Sequence, residues 1–179
     1  MTNNRKTNSV ENLKNALIRL LLEKKYSEIT VADIAKKANV SRGTFYQHFL
    51  DKDDLATTIG NETSKRFWNI LSKGNLDKQD KILESLECIK ADAKHFKAIS
   101  QAPHVQFSKT VQVLLKQLIT TNIILKSRIK QKANISDDLV IQAFCASFER
   151  IISAWIESDF QQSPKEISEI IIKIEKLFL

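Results

Sequence analysis

The stretch Thr30–Leu55, TVADIAKKANVSRGTFYQHFLDKDDL, predicts two short helices, a tight turn between them and the start of a third helix. Thr30, followed three residues later by Asp33, has the spacing at which two side chains cap a helix N-terminus together. Asn39 tolerates the left-handed backbone conformation that ends a helix, and Ser41 is a favourable cap for the next one. This order of elements is typical of a helix-turn-helix, whose second helix enters the major groove of DNA.

The second of these helices is predicted over Arg42–Phe49, and Phe45 and Phe49, four residues apart, share its inner face. The spacing alone would also suit a packing motif without a DNA-binding role. A longer and more specific pattern consists of Ile34, Ala35, Ala38, Val40, Ser41, Phe45, Tyr46, His48, Phe49, Lys52 and Leu55. Through these residues the segment Val10–Leu55 resembles the TetR family of bacterial transcriptional regulators.

By this resemblance, the N-terminal part of the second helix meets base edges in the major groove. Arg42 is the main candidate for base readout, because its guanidinium matches O6 and N7 of guanine, with a phosphate contact as the alternative. Gly43 lets the backbone come close to the bases. Lys52 is expected to bind a phosphate at the start of the following helix, whose N–H groups can do the same. The full set of expected DNA-binding residues is Thr30, Ser41, Arg42, Gly43, Thr44, Tyr46, Gln47, His48 and Lys52.

The formal net charge of +7 is concentrated near the helix-turn-helix. Residues 1–52 contain ten lysines and arginines against five acidic residues, whereas residues 53–179 contain eighteen against sixteen. A basic segment fits a polyanionic partner, since Lys and Arg bound to phosphates release counterions from DNA. Solubility alone would be the alternative explanation of this charge.

Other chemistry finds little support in the sequence. Cys88 and Cys145 are far apart and lie in apolar helical patterns, which favours core packing over a disulfide or a metal site. We find no pair of carboxylates at helical spacing from a histidine, no phosphate-binding glycine loop and no activated nucleophile. The prediction is therefore no catalytic residue, no metal and no cofactor. Polar first residues and charge-interrupted apolar runs predict no secretory signal and no membrane span, and hence a cytoplasmic location.

The composition predicts an all-α protein, because 179 residues include only three Gly and two Pro. We expect an N-terminal three-helix helix-turn-helix DNA-binding domain over residues 1–52, the head. A helical-bundle ligand-binding and dimerisation domain over residues 53–179, the body, follows it. The first helix is predicted over Ser9–Lys25, after polar residues that fray. Later helices are predicted at Asp51–Lys73, Lys78–Asp92, Lys94–Ser100, Val105–Gln131, Asp137–Asp159 and from Ser163 onward.

The last two helices carry more apolar surface than one core needs, which favours a subunit interface built from two helices of each protomer. Burial against the rest of the body is the alternative. The residues expected at the interface are Phe144, Phe148, Ile151, Trp155, Ile167, Ile170, Ile171, Ile174 and Phe178. A dimer also suits DNA, because two recognition helices about 34–36 Å apart reach successive major grooves.

Together these features predict a DNA-binding transcriptional regulator, acting as a homodimeric repressor on an inverted-repeat operator in double-stranded DNA. By resemblance, an unidentified small-molecule effector that enters the body would release the protein from DNA. One alternative is a related regulator that responds to a protein partner or activates transcription. A second alternative is an all-helical enzyme or metal protein.

Overall fold

The computed structural model of the chain describes residues 3–73, 79–102, 107–121 and 137–178, and within these ranges no strand occurs. The all-α fold expected from the sequence is confirmed. The helices are α1 Asn3–Glu23, α2 Val31–Lys37, α3 Arg42–Tyr46, α4 Lys52–Lys73, α5 Gln79–Ala91, α6 Ala93–Ser100, α7 Phe107–Thr121, α8 Asp137–Glu157 and α9 Pro164–Phe178, with a 3-10 turn at Tyr26–Glu28.

Two helix bounds differ from the sequence-based expectation. Helix α1 begins at Asn3 rather than at Ser9, so the polar residues that we expected to fray continue the helix. They include neither Gly nor Pro, and nothing in them interrupts helical backbone. Helix α7 covers Phe107–Thr121. The rest of the predicted Val105–Gln131 helix lies outside the described residues.

By contacts along the chain, the molecule divides into two compact units. The first consists of Met1–Thr63 together with Lys94–Gln106, and the second of Ser64–Ala93 together with Phe107–Leu179. The boundary between residues 52 and 53 was drawn from the motif and stays a prediction. Helix α4 therefore begins in the first unit and ends in the second.

The core of the head is closed by α1, α2 and α3, which pack in sequence order. Helix α1 buries one apolar stripe, and the two shorter helices each contribute large side chains to it. Complete burial of a Leu, Ile or Phe side chain stabilises a fold by about 1.5–3 kcal/mol, so these few residues hold the short helices in place. The fully buried members include Leu13, Leu17, Leu21, Ile34 and Phe45.

In the second unit, α7 packs on α8 through a stripe that repeats every fourth residue, and α9 packs on both α5 and α8. Among the described residues, Leu139–Glu157 within α8 is long and apolar enough to cross a membrane by length and composition alone. More than half of that stretch is buried inside the protein. Its apolar character is thus explained by the core, to which Phe144, Cys145, Phe148 and Ile152 belong.

A rigid corner ends α8. Asp159 and Phe160 both have positive φ angles, 60° and 58°. The N–H of Phe160 donates to the carbonyl of Trp155 at 2.9 Å, and the two rings meet edge to face with centroids 4.8 Å apart. This hydrogen bond and ring contact are those of a left-handed helix C-terminus with its accompanying hydrophobic contact. Lys90 Nζ of α5 donates to the Phe160 carbonyl at 2.9 Å and ties the corner to its neighbour.

Several residues expected at the subunit interface are covered within the protomer, and the interface itself stays a prediction. Five of its residues are buried within the single protomer and belong to the protomer's own core, as the alternative proposed: Phe144, Phe148, Trp155, Ile167 and Ile171. An apolar helix face does not reveal from sequence which surface covers it, and here α5 and α7 cover much of it. Ile151 and Ile174 are half-buried, Ile170 is 40% exposed, and the Phe178 side chain lies outside the described residues.

Candidate nucleic-acid interface

The entry into α2 is a complete capping box. The Asp33 N–H donates to Thr30 Oγ1 at 3.2 Å, while the backbone N–H and the hydroxyl of Thr30 donate to Asp33 Oδ2 at 2.9 and 2.8 Å. Lys24 Nζ approaches the same oxygen at 2.9 Å. The Lys24 hydrogen bond, followed by the two Thr30 donors, holds the pKa of Asp33 well below its usual range. The predicted helix start is confirmed.

The turn between α2 and α3 has a defined geometry. Asn39 has a φ of 57°, and its N–H donates to the carbonyl of Lys36 at 3.2 Å. The N–H of Val40 reaches back to the carbonyl of Ala35 at 3.0 Å. These two bonds with one left-handed residue constitute a Schellman motif, which confirms the expected role of Asn39. The angle between α2 and α3 is therefore set by backbone hydrogen bonds.

Helix α3 begins at a hydroxyl cap. Ser41 Oγ accepts the Thr44 N–H at 3.0 Å and lies 2.9 Å from Thr44 Oγ1. This cap confirms the predicted start of the helix. Gly43 in this first turn has no positive φ angle. A Cβ added to Gly43 would have the Ser41 hydroxyl at 3.6 Å as its nearest neighbour, an ordinary van der Waals contact. Packing inside the protein therefore does not require glycine at position 43.

The end of α3 differs from the prediction. The helix stops at Tyr46, not at Phe49, because the N–H groups of His48 and Phe49 both converge on the Phe45 carbonyl, at 2.9 and 3.0 Å. The doubled acceptor tightens the last turn as the chain turns toward α4. Phe45 and Phe49 still anchor this segment, since both are buried and their ring centroids lie 5.9 Å apart.

The segment 41–48 brings most of the predicted DNA-binding side chains together on the surface. Ser41, Arg42, Gly43 and Gln47 are exposed, Thr44 and His48 are half-buried, and Tyr46 is 53% exposed. Thr30 is also exposed, but both its N–H and its hydroxyl proton are engaged by Asp33. The roles assigned to these residues on DNA stay predictions, and the structure shows that the side chains are accessible.

The ammonium group of Lys52, expected to bind a phosphate, is directed at backbone carbonyls of the protein. Its Nζ donates to the carbonyls of Tyr26 and Ile29, each at 2.9 Å, and lies 4.5 Å from the centre of the Tyr26 ring. Two of its three N–H donors are therefore occupied by the protein itself. The Tyr26 hydroxyl donates to Asp53 in turn. Burial, followed by the hydrogen bond and charge of Asp53, raises the pKa of Tyr26 far above its usual value.

The first turn of α4 is also satisfied internally. Asp51 Oδ1 accepts the N–H groups of Asp53 and Asp54 at 2.9 and 2.8 Å, and Asp54 Oδ2 accepts the Leu50 N–H at 2.9 Å. A phosphate at this helix start would have to displace a carboxylate and approach three acidic side chains. The expectation that the α4 N–H groups bind phosphate is wrong for this arrangement, because Asp51 already fills the role.

Leu50 is a surface feature that the sequence reasoning missed. Its side chain is 83% exposed, the highest fraction among the large apolar side chains that the structure describes as exposed. Its backbone is nevertheless held by Asp54. The buried positions Phe45 and Phe49 are four residues apart, and this spacing could have signalled that the apolar residue after Phe49 points outward.

Within the described ranges, no three His, Cys, Asp or Glu side chains gather into a group that could hold a metal ion. A capped helix-turn-helix with an accessible second helix defines the class of DNA-binding regulators. The chain belongs to the TetR family of bacterial regulatory proteins: the family model "Bacterial regulatory proteins, tetR family" matches residues 15–59, and the model "Transcriptional regulator C-terminal region" matches residues 77–176. Regulators of this family bind DNA and form dimers.

Curated relatives match this chain over part of their length. The HTH-type transcriptional regulator YwcC of Bacillus subtilis is 32% identical over 87 residues, which are 48% of this chain and 37% of the relative. YvkB of the same organism is 31% identical over 84 residues, 47% of this chain and 44% of the relative. The chain thus spans less than half of the length of these relatives.

Solved structures share the fold over nearly the whole chain. A TetR transcriptional regulator from Streptococcus agalactiae has a TM-score of 0.70 at 20% identity, with 96% of each chain covered. NalD of Pseudomonas aeruginosa, a repressor of a multidrug efflux pump, has a TM-score of 0.68 at 18% identity, with 96% and 95% covered. The dihydroxyacetone kinase operon activator DhaS has a TM-score of 0.57 at 20% identity, with 95% and 97% covered.

Proposed function

We propose that the protein is a homodimeric transcriptional repressor of the cytoplasm that reads an inverted-repeat operator and leaves it when a small-molecule effector binds the body. The observation that carries this proposal is the fixed α2–α3 corner with its exposed segment 41–48. Backbone bonds at Asn39 and the Ser41 cap hold this segment before DNA arrives. A recognition segment that is already held in place loses little conformational freedom on binding, which favours high affinity.

On the operator, Arg42 reads guanine and the backbone at Gly43 lies against the bases. Both residues are exposed in the first turn of α3, where a recognition helix meets base edges. Tyr46 and His48 follow at the far end of the segment and bind phosphates. Lys52 contributes mainly by fixing the head, because two of its donors are already bound to carbonyls.

The dimer forms through the outward faces of α8 and α9. Once the buried residues are set aside, these faces still present Ile170 at 40% exposure with the half-buried Ile174 one turn later. On α8 the exposed positions include Ala143 and Ala146, whose small side chains permit close helix approach. Two copies joined there form a twofold dimer, which is the symmetry that an inverted repeat mirrors.

Release by an effector requires that the effector binds the conformation unable to hold DNA more tightly than the competent one. NalD is a repressor and DhaS is an activator, so the same fold occurs in proteins that repress transcription and in proteins that activate it. Repression is the simpler mechanism, because it needs only occupancy of the operator. Control by a protein partner, or activation, is the alternative. Binding of a partner protein without a small molecule, or stimulated transcription in a purified system, would favour it.

Selection of duplexes from a random DNA pool at roughly physiological salt tests the proposal, because moderate salt suppresses non-specific binding. We expect an inverted repeat from the wild-type chain. Arg42→Ala should lose preference at one or two base positions. Lys109→Ala, a matched removal of an exposed cation on α7, should leave the selected sequence unchanged. Folded wild-type protein that selects no sequence, with or without cell extract, would refute the proposal.

A further inference from the structure

We infer that Leu50 is a DNA-contacting residue, which packs its exposed side chain on the apolar C–H surface of the duplex at the edge of the major groove. This inference rests on the DNA-binding role of the head. Apolar contacts in a groove are made with the methyl group of thymine or with deoxyribose.

Position along the reading segment is the first argument. Leu50 follows Ser41 by nine residues, and the segment between them is one short helix with a tight final turn. Leu50 therefore comes two residues after His48, at the end of the segment that is proposed to bind phosphates. With the N-terminus of α3 at the groove floor, Leu50 comes to the sugar-phosphate wall.

Rigidity is the second argument. The Leu50 N–H donates to Asp54 at 2.9 Å, and the preceding Phe49 is buried in the core of the head. The backbone on both sides of Leu50 is therefore fixed although the side chain is 83% exposed. Burying an exposed apolar side chain costs little conformational entropy when its backbone is already held, because few degrees of freedom remain to be lost.

Charge is the third argument. Lys52, the cation expected at this edge, is turned inward onto the Tyr26 and Ile29 carbonyls. Three carboxylates, Asp51, Asp53 and Asp54, lie at the start of α4. The ammonium group expected to hold a phosphate at this edge is therefore engaged by the protein itself, whereas the neighbouring apolar side chain of Leu50 remains exposed there.

Affinity measured as a function of salt separates an apolar contact from an ionic one. On the selected operator, Leu50→Ala should weaken binding by roughly three- to tenfold. The slope of log affinity against log salt should stay unchanged, because no phosphate contact is lost. Leu50→Lys should steepen that slope by about 0.9 per head. Leu22→Ala, which truncates a 38%-exposed leucine of α1, is the matched control and should bind like the wild type.

Modified DNA identifies the group of the duplex that Leu50 contacts. Replacing thymine by uracil at the positions of the half-site removes only the methyl group. If one such position abolishes the difference between wild type and Leu50→Ala, the contact is a thymine methyl; if none does, the contact is deoxyribose. A folded Leu50→Ala variant that binds as tightly as the wild type would overturn the inference. Failure of the wild type to select any operator would instead count against the proposed function.

Discussion

Gly43→Ala separates the stability of the head from its contact with DNA. The substitution places one methyl group on the first turn of α3, where the backbone has no positive φ angle and the nearest atom would be the Ser41 hydroxyl at 3.6 Å. Alanine is favoured over glycine by up to about 1 kcal/mol within a helix. Because position 43 lies in the first turn, we expect the free energy of unfolding to rise by about 0.5 kcal/mol.

The same methyl group should damage operator binding. If the backbone at Gly43 lies against the bases, a Cβ there holds α3 away from the groove floor and stretches the bidentate contact of Arg42, which is worth about 1–3 kcal/mol. Since 1.4 kcal/mol corresponds to a tenfold change, specific affinity should fall by about five- to 150-fold. Gly43→Leu, also favourable in a helix, should reduce affinity further.

Fluorescence anisotropy on operator and scrambled duplexes, paired with thermal unfolding of the same samples, measures both effects. A rise of on the order of 1–2 °C in midpoint would report the helix gain. If Gly43→Ala is at least as stable as the wild type and binds the operator equally well, the backbone at position 43 does not approach the bases. The way in which α3 is seated in the groove would then have to be revised.

We expect measurable effects from substitutions at four further positions. Lys52→Met should destabilise the protein by about 1–2 kcal/mol in denaturant unfolding, because two carbonyls lose their donor; unchanged stability with a salt slope reduced by about one would instead make Lys52 a phosphate ligand. Asn39→Gly should raise the free energy of unfolding by about 0.5 kcal/mol, because glycine adopts the left-handed turn without strain. Ile170→Glu should shift the dimer toward monomer in sedimentation, whereas Lys165→Glu, which changes an exposed residue on the other side of the same helix, should not. Asp33 has a lowered pKa in the folded state. It therefore contributes stability at pH values above its unfolded pKa, and this contribution is lost as the pH falls through the folded pKa. Asp33→Asn should flatten the dependence of the free energy of unfolding on pH below about 4.

The features that sequence predicted correctly are local. The Thr30–Asp33 box, the left-handed Asn39 and the Ser41 cap each join groups three to five residues apart. At such distances the partner of a side chain is limited by helix geometry, so residue type and spacing are sufficient. The same holds for Phe45 and Phe49, whose four-residue spacing placed them on one buried face.

Contacts between groups far apart along the chain could not be predicted from the sequence. Lys52 binds carbonyls 26 and 23 residues earlier, and no spacing rule connects it to Tyr26 or Ile29. The apolar faces of α8 and α9 posed the same difficulty. Their periodicity indicates that they are buried but not whether the covering surface belongs to the same protomer, and five of the residues expected at the interface lie in the core of the protomer.

Ion pairing changes how the basic charge of the head should be understood. Lys14 pairs with Glu62, Lys24 with Asp33 and Lys37 with Glu23, at 2.6, 2.9 and 2.6 Å. With Lys52 turned onto carbonyls, a substantial part of the cationic charge in residues 1–52 is already engaged. The exposed cations of the described head include Arg19, Lys25, Lys36 and Arg42.

Cations that are engaged within the protein contribute less to counterion release, which adds about 0.9 to the salt slope for each phosphate contact. Affinity must then come to a larger extent from close fit in the groove. Fit depends on the absence of a side chain at Gly43, on the fixed corner at Asn39 and on apolar contact at Leu50. Such contacts vary with base sequence far more than phosphate contacts do. The charge arrangement of this head therefore favours discrimination between sequences over general attraction to DNA.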